Sequence, residues 1–290
     1  MRGQSILQTI IIRTLLSVFL FTPLSGYANS DKIFTAAGAH STWVIMDKIK
    51  PALEKMIGHK ITLFGKQSML GVGCNAGIKS TLQSSDKQES FGMVCCPLSD
   101  AEVTKKNLIV FPLALEPLMI LSHESNPITN LNVKQVKAIF SGEITNWKQV
   151  GGEDKSIIVV TRLHCKKRPG HWKTILDSAD KFTKKRINVQ SADEMVKRVG
   201  DFKASFGHAG TAWLRGENSG TKIIRVNGFL PTRTNLKNGN YPFYRELAVI
   251  TNKEASEKVK NLMRSAQKET FKSADLFSEH QLLPIDPAKH

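Results

Sequence analysis

The chain has 290 residues, 41% of them hydrophobic and 23% charged, a composition that fits one large domain or two lobes and excludes a disordered polymer. Its formal charge of +16 would suit nucleic acid, an acidic membrane surface or an anionic ligand. The Lys and Arg residues are dispersed and no nucleic-acid motif accompanies them, so nucleic acid is not an expected partner.

Residues 1–28 carry the three parts of a secretory signal. Arg2 and Arg13 supply positive charge, residues 15–24 form the apolar core, and Gly26-Tyr27-Ala28 places small residues at the cleavage position. The apolar run is shorter than the roughly 20 residues that a spanning helix needs. No Cys lies near the cut, which argues against a lipoprotein. Cleavage after Ala28 and a periplasmic or secreted chain in an oxidising compartment are therefore expected, peripheral to a membrane at most.

The mature chain opens with a short strand at Ile33-Phe34 and the loop Ala36-Ala37-Gly38-Ala39-His40-Ser41-Thr42. A helix follows with Val44, Ile45, Ile49, Leu53 and Met56 on one face and Ser41 as its N-cap, so free N–H groups face that loop. Residues 60–64 read as a strand, and Gly71-Val72-Gly73-Cys74-Asn75 opens a helix carrying Ala76, Ile78 and Leu82. A strand at 91–94 ends at Cys95-Cys96-Pro97, and a turn or helix starts from Ser99. Residues 108–121, interrupted by Pro112 and Pro117, read as a strand leaving one lobe and entering the other.

Val133, Val136, Ile139 and Phe140 recur at helical spacing behind an Asn132 N-cap, and Ser141-Gly142 stops that helix. Trp147 and Val150 anchor the next loop. Residues 157–161 are a β-branched run suited to a strand buried on both faces. It ends at Arg162, followed by Leu163-His164-Cys165-Lys166-Lys167-Arg168. In an open α/β sheet, ligands bind at such carboxyl ends. Residues 252–267 read as a surface helix.

The segment IFSGEITNWKQVGG at 139–152, followed by a strand and Arg162, closely resembles the phosphate-binding proteins of ABC transporters. GCNAGIK at 73–79, GMVCCPLSDAE at 92–102, FGHAGTAWL at 206–214 and YPFYR at 241–245 resemble further landmarks, in the family's order. The resemblance implies an α/β, two-lobed periplasmic-binding-protein-like fold of type II. Each lobe would be a mixed sheet flanked by helices, with two crossover strands joining them. Lobe 1 would span 29–116 plus 243–290 and lobe 2 would span 117–242. It also implies a monomer that closes on a small ligand and passes it to an ABC permease or a sensor.

The ligand loops depart from that pattern. His40 and Cys74 stand where the family usually shows Ser, and Cys95-Cys96 replaces a typical Ser-Arg. His164-Cys165 falls where a Gly-Ser-Gly-Thr turn is usual, with His171 opening the next helix, and His208 stands where Tyr is usual. Ser41, Thr42, Lys79 and Arg162 are retained. The expected ligand-binding set is His40, Ser41, Thr42, Cys74, Lys79, Cys95, Cys96, Arg162, His164 and Cys165.

All four cysteines of the chain thus fall in the implied cleft. Thiolate with imidazole suits copper, zinc or a thiophilic species such as arsenite, with Cys74, Cys95, Cys96, His164 and Cys165 as ligands. No cofactor other than such a transition metal is expected. The alternative for an exported chain is two disulfides, Cys95 and Cys96 each reaching Cys74 or Cys165. The Lys166-Lys167-Arg168 run reads as a solvated basic loop. Arg162 fits the cleft and an interlobe salt bridge equally.

An enzyme is not expected. Cys165 has His164 and His171 nearby but no acidic orienting partner, and GxSxG, Walker and dinucleotide-binding patterns are absent. The rival class is an interaction protein that keeps the fold and works through its surface.

Overall fold

The computed structural model describes residues 33–66, 73–83, 88–166, 168, 171–213 and 219–289. The expected signal at 1–28, together with Gly71, Val72, Lys167 and Leu214, lies outside these described residues. β1 (Ile33–Gly38) alternates buried and less buried positions. α1 (His40–Ile57) starts directly after Ala39, so Ser41 sits in the first turn and is not the cap. Its core face follows the i+4 row Ile45, Ile49, Leu53 and Ile57. Met56 lies off that row and is 55% exposed, contrary to the sequence expectation.

β2 (Ile61–Phe64) pairs in parallel with β1. α2 (Gly73–Ser80) follows, and Leu82 falls beyond its end and is exposed. β3 (Gln88–Val94) flanks β1 on the other side, again in parallel. α3 (Asp100–Lys105) is capped by Ser99, whose hydroxyl accepts from the Glu102 N–H.

β4 (Leu108–His123) is 16 residues long and belongs to two sheets. Pairing skips Leu113 beside Pro112, a bulge where a strand tolerates proline. β5 (Asn130–Leu131) leads into α4 (Val133–Ser141), where Asn132 and Gln135 form a reciprocal capping box and Gly142 ends the helix at φ 86°. β6 (Ile158–Thr161), β7 (Arg186–Asn188), α5 (Ala192–Asp201), β8 (Ser205–Gly210), β9 (Thr221–Val226) and α6 (Arg233–Lys237) follow. The chain returns through β10 (Tyr244–Asn252) and closes with α7 (Glu257–Lys272) and β11 (Leu283–Pro284). α7 covers the core with Val259, Leu262, Met263 and Ala266, so it is only half a surface helix.

The strand order is β2-β1-β3-β10-β4-β8-β6-β7, with β9 and β11 also on β4. β10 runs antiparallel to β4 from Pro117↔Tyr244 to Leu108↔Asn252. Beyond Pro117, β4 pairs with β8 and β9. Phe34, Ile45, Phe91, Leu113, Val249 and Met263 form a core on the β1 side. Ile120, Phe140, Trp147, Phe206 and Tyr241 form a second on the β8 side, and Met119, Val160, Met195 and Val199 a third. Each fully buried side chain of this size contributes about 1.5–3 kcal/mol. Among the described residues no helix is long and apolar enough to cross a membrane.

Candidate functional site

Two glycines set the geometry. A Cβ on Gly77 would stand 2.5 Å from the Met93 carbonyl oxygen, and one on Gly92 would overlap the Gly77 carbonyl. α2 therefore lies backbone to backbone on β3. That contact brings Cys74 Sγ to 3.6 Å from Cys95 Sγ, and the Cys95 N–H donates to Cys74 Sγ at 3.1 Å. Cys96 is next in the same loop and fully buried.

Cys165 arrives from the other sheet, on the loop after β6. It and His171 both have left-handed backbones, φ 52° and 55°, an uncommon conformation for side chains of this kind. Arg168 ties this loop down. Its Nε and Nη2 donate to the Glu102 carboxylate at 2.9 Å each, Nη2 also donates to Asn75 Oδ1 at 2.8 Å, and Nη1 donates to Cys165 Sγ at 3.7 Å.

The ligating atoms of Cys74, Cys95 and Cys96 all lie within 4.8 Å of one another, as do those of Cys96, His164 and Cys165. The four cysteines are unbridged in this structure. Their protons are shared unevenly. Hydrogen bonds from Cys74 and Cys96, with Arg168 nearby, pull Cys165 down to about 4, so it is a thiolate at neutral pH. Hydrogen bonding to Cys165, Cys74 and Cys95, together with burial, pushes Cys96 well up. For Cys74 the bond to Cys165 raises the value, and those to Cys95 and Cys96 bring it below the usual thiol range.

His164 links this cluster to a row of imidazoles. Its Nδ1 donates to the Arg162 carbonyl at 3.1 Å, which leaves Nε2 facing Cys96 Sγ at 3.9 Å and Arg162 Nη1 at 3.1 Å. Its ring centroid is 4.3 Å from that of His171, which is 5.7 Å from that of His208. Burial holds His171 well below the ordinary imidazole value and His208 down at about 3, so both are neutral. His171 Nδ1 and both His208 ring nitrogens have no hydrogen-bond partner among the described residues. These two rings line, with Arg162, Arg245, Gly210 and Trp213, a cavity of ≈ 10 Å³, room for about one water molecule.

Arg245 closes the site from below. Its Nε donates to Glu116 Oε2 at 2.5 Å, Nη2 to Ser41 Oγ at 2.8 Å and Nη1 to Cys95 Sγ at 3.4 Å. Glu116 faces Arg245 across the β4–β10 ladder and also accepts the Ala212 N–H.

The structure thus brings together Cys74, Cys95, Cys96, Cys165, His164, Arg162 and Ser41. His40 instead packs its ring against Trp213 at 4.1 Å and Trp43 at 6.0 Å. The Thr42 hydroxyl donates to the Val94 carbonyl at 2.6 Å, a tie between α1 and β3. Lys79 is exposed in the last turn of α2. Arg168 corrects the reading of a solvated basic run, because it is buried against Glu102 while Lys166 is exposed. Arg245, Glu116 and Glu102 had no place in the expected site; only YPFYR at 241–245, read as a landmark, pointed near one of them.

A family model described as the PBP superfamily domain matches residues 71–267. The chain is 24% identical over 268 residues to the phosphate-binding protein PstS of Borreliella burgdorferi, covering 87% of this chain and 89% of that one. It is 23% identical over 163 residues to the phosphate-binding protein PstS of Bacillus subtilis, covering 56% and 53%. In structure it is similar to an ABC-type phosphate transport receptor from Vibrio cholerae, with TM-score 0.65 and 24% identity over 87% of this chain and 100% of that one. The crystal structure of PstS from Borrelia burgdorferi gives TM-score 0.56 and 23% identity over 88% and 99%.

Proposed function

This chain belongs to the PBP superfamily, and from that premise we propose that it is an extracytoplasmic solute-binding protein that hands a small ligand to the permease of an ABC transporter. The relatives named phosphate-binding proteins support the transport role. The observation that carries the reading is convergence. The carboxyl ends of β1, β3, β6 and β8 and the start of α2 meet where β4 and β10 pass from one sheet to the other, the place where open α/β sheets bind ligands. Residues 29–116 with 243–290 would form one lobe and 117–242 the other, closing on the ligand by a hinge.

The ligand of this chain would not be phosphate. Stripping water from a phosphate requires a hydrogen-bond donor for each oxygen. Here the Thr42 hydroxyl donates to the Val94 carbonyl, and the Arg245 guanidinium donates to Glu116, Ser41 Oγ and Cys95 Sγ. Beside Arg162 and the Ser41 hydroxyl, the lining is thiols, which are weak donors, a Cys165 thiolate that repels an anion, and neutral imidazoles. A thiophilic solute fits that lining better. Thermal unfolding and small-angle scattering of the full mature chain with phosphate, arsenite, zinc(II) and copper(I) test the reading. The expected result is that arsenite, zinc(II) or copper(I) saturates, raises Tm and reduces the radius of gyration while phosphate does not; saturation by phosphate alone would overturn the thiophilic ligand. Failure of every one of them to bind would overturn it.

A further inference from the structure

We propose that Cys74, Cys95, Cys96 and Cys165, with His164 beside them, form a site for a single soft d¹⁰ metal ion, copper(I) or zinc(II), and that this ion is the captured ligand. The ion's role as cargo rests on the solute-binding reading above; the site itself rests on geometry.

Spacing is the first argument. A tetrahedral centre with metal–sulfur bonds of about 2.3 Å holds its sulfurs about 3.8 Å apart. Cys74 and Cys95 already stand at 3.6 Å, and each of two three-ligand groups, sharing Cys96, fits within 4.8 Å. An ion entering there would draw the ligating atoms of each group in from at most 4.8 Å toward that spacing, with Cys96 common to both groups. Cys74, Cys95 and Cys96 come from the β1–β3 sheet side and Cys165 with His164 from the loop after β6. Coordination would therefore cross-link the two sheets, which couples binding to closure.

Donor chemistry is the second. The two carboxylates near the cluster are each held by an arginine, Glu102 by Arg168 and Glu116 by Arg245. What faces the centre is sulfur and imidazole, a set that favours copper(I) and zinc(II) over calcium, magnesium or manganese. Around the sulfurs stand the donors a thiolate centre needs in its outer shell. The Cys95 N–H donates to Cys74, Arg245 to Cys95 and Arg168 to Cys165. These guanidinium groups offset the negative charge that several thiolates around one ion would leave. The third argument is His208, 2% exposed with both nitrogens unpartnered among the described residues, which ends the row of imidazoles leading from the cluster. A buried polar group of that kind calls for a ligand or a bound water.

The test is anaerobic titration of the reduced, metal-free full mature chain with zinc(II) and, separately, copper(I), each against a competing chelator. Phosphate is titrated in parallel by calorimetry. One equivalent of either ion is expected, with the thiols shielded from iodoacetamide; competition between the two identifies the tighter. Loss of an outer-shell partner of a metal typically lowers affinity about 10–100-fold, so Cys74→Ser and Cys165→Ser, which remove direct ligands, should lose at least that much. Alkylation protection in the unmutated chain decides the matter where a variant fails to fold. Variants that hold the ion as tightly as the parent overturn the site. Phosphate binding without binding of either ion overturns the metal site and leaves the solute-binding reading standing. Binding of neither overturns the metal site, and the solute-binding reading falls with it when arsenite also fails to bind.

Discussion

Arg245 is 4% exposed and Glu116 fully buried, so removing one charge strands the other. Arg245→Met should destabilise the fold by about 3–5 kcal/mol, and pairing it with Glu116→Leu should recover much of that loss. Urea unfolding of the two variants measures it, and a single variant within about 1 kcal/mol of the parent would contradict the pair's role. His208 carries a pH prediction. It is neutral when folded, held at about 3 first by burial and then by repulsion from the neighbouring His164, when protonated, and from Arg245 and Arg162. The unfolded chain takes up a proton below about 6.5. Stability present at neutral pH is therefore lost as pH falls from 6.5 toward 3, and His171 acts in the same direction. In metal-free protein His208→Gln should flatten part of the decline in urea midpoint between pH 7 and 5, and an unchanged slope would count against it. At this scale the Cys and His residues of the site were legible because their chemistry is visible in isolation. Arg168 and Arg245 were not. Their carboxylate partners lie 66 and 129 residues away, and only folding makes a buried pair out of what reads as ordinary basic sequence.

The contact of α2 with β3 depends on Gly77. Gly77→Ala would put a methyl group against the Met93 carbonyl and lift the helix, at about 1–3 kcal/mol. Because the same contact holds Cys74 against Cys95, melting temperature and metal affinity should fall together. A stable variant with unchanged affinity would show that α2 does not position Cys74. Among the elements, α4 was fully legible, since Asn132, the periodic apolar residues and Gly142 each announce a part of it. The start of α1 was missed because Ser41, a good cap by type, is held in the first turn by Arg245. Leu82 was placed on a core face by carrying the period past the end of α2, and Met56 by a step off the row that ends at Ile57.

For the whole molecule, the α/β class was legible from strand and helix patterns, and its particular form from the resemblance of five segments. The sheet order and the long shared strand β4 were legible only as a crossing, because Pro112 and Pro117 look like breaks until a bulge absorbs one of them. The meeting of three loops in one sulfur cluster is a property of topology. No spacing motif encodes it, since Cys74 and Cys95 are 21 residues apart and Cys165 comes from the other sheet. The most direct measurement is the intact mass of the purified, unreduced mature chain, taken native and denatured with thiol alkylation. One metal ion in native mode and four alkylated thiols after denaturation are expected. A denatured mass four hydrogens below the reduced value, with no alkylation and no metal, would contradict a thiolate ligand site.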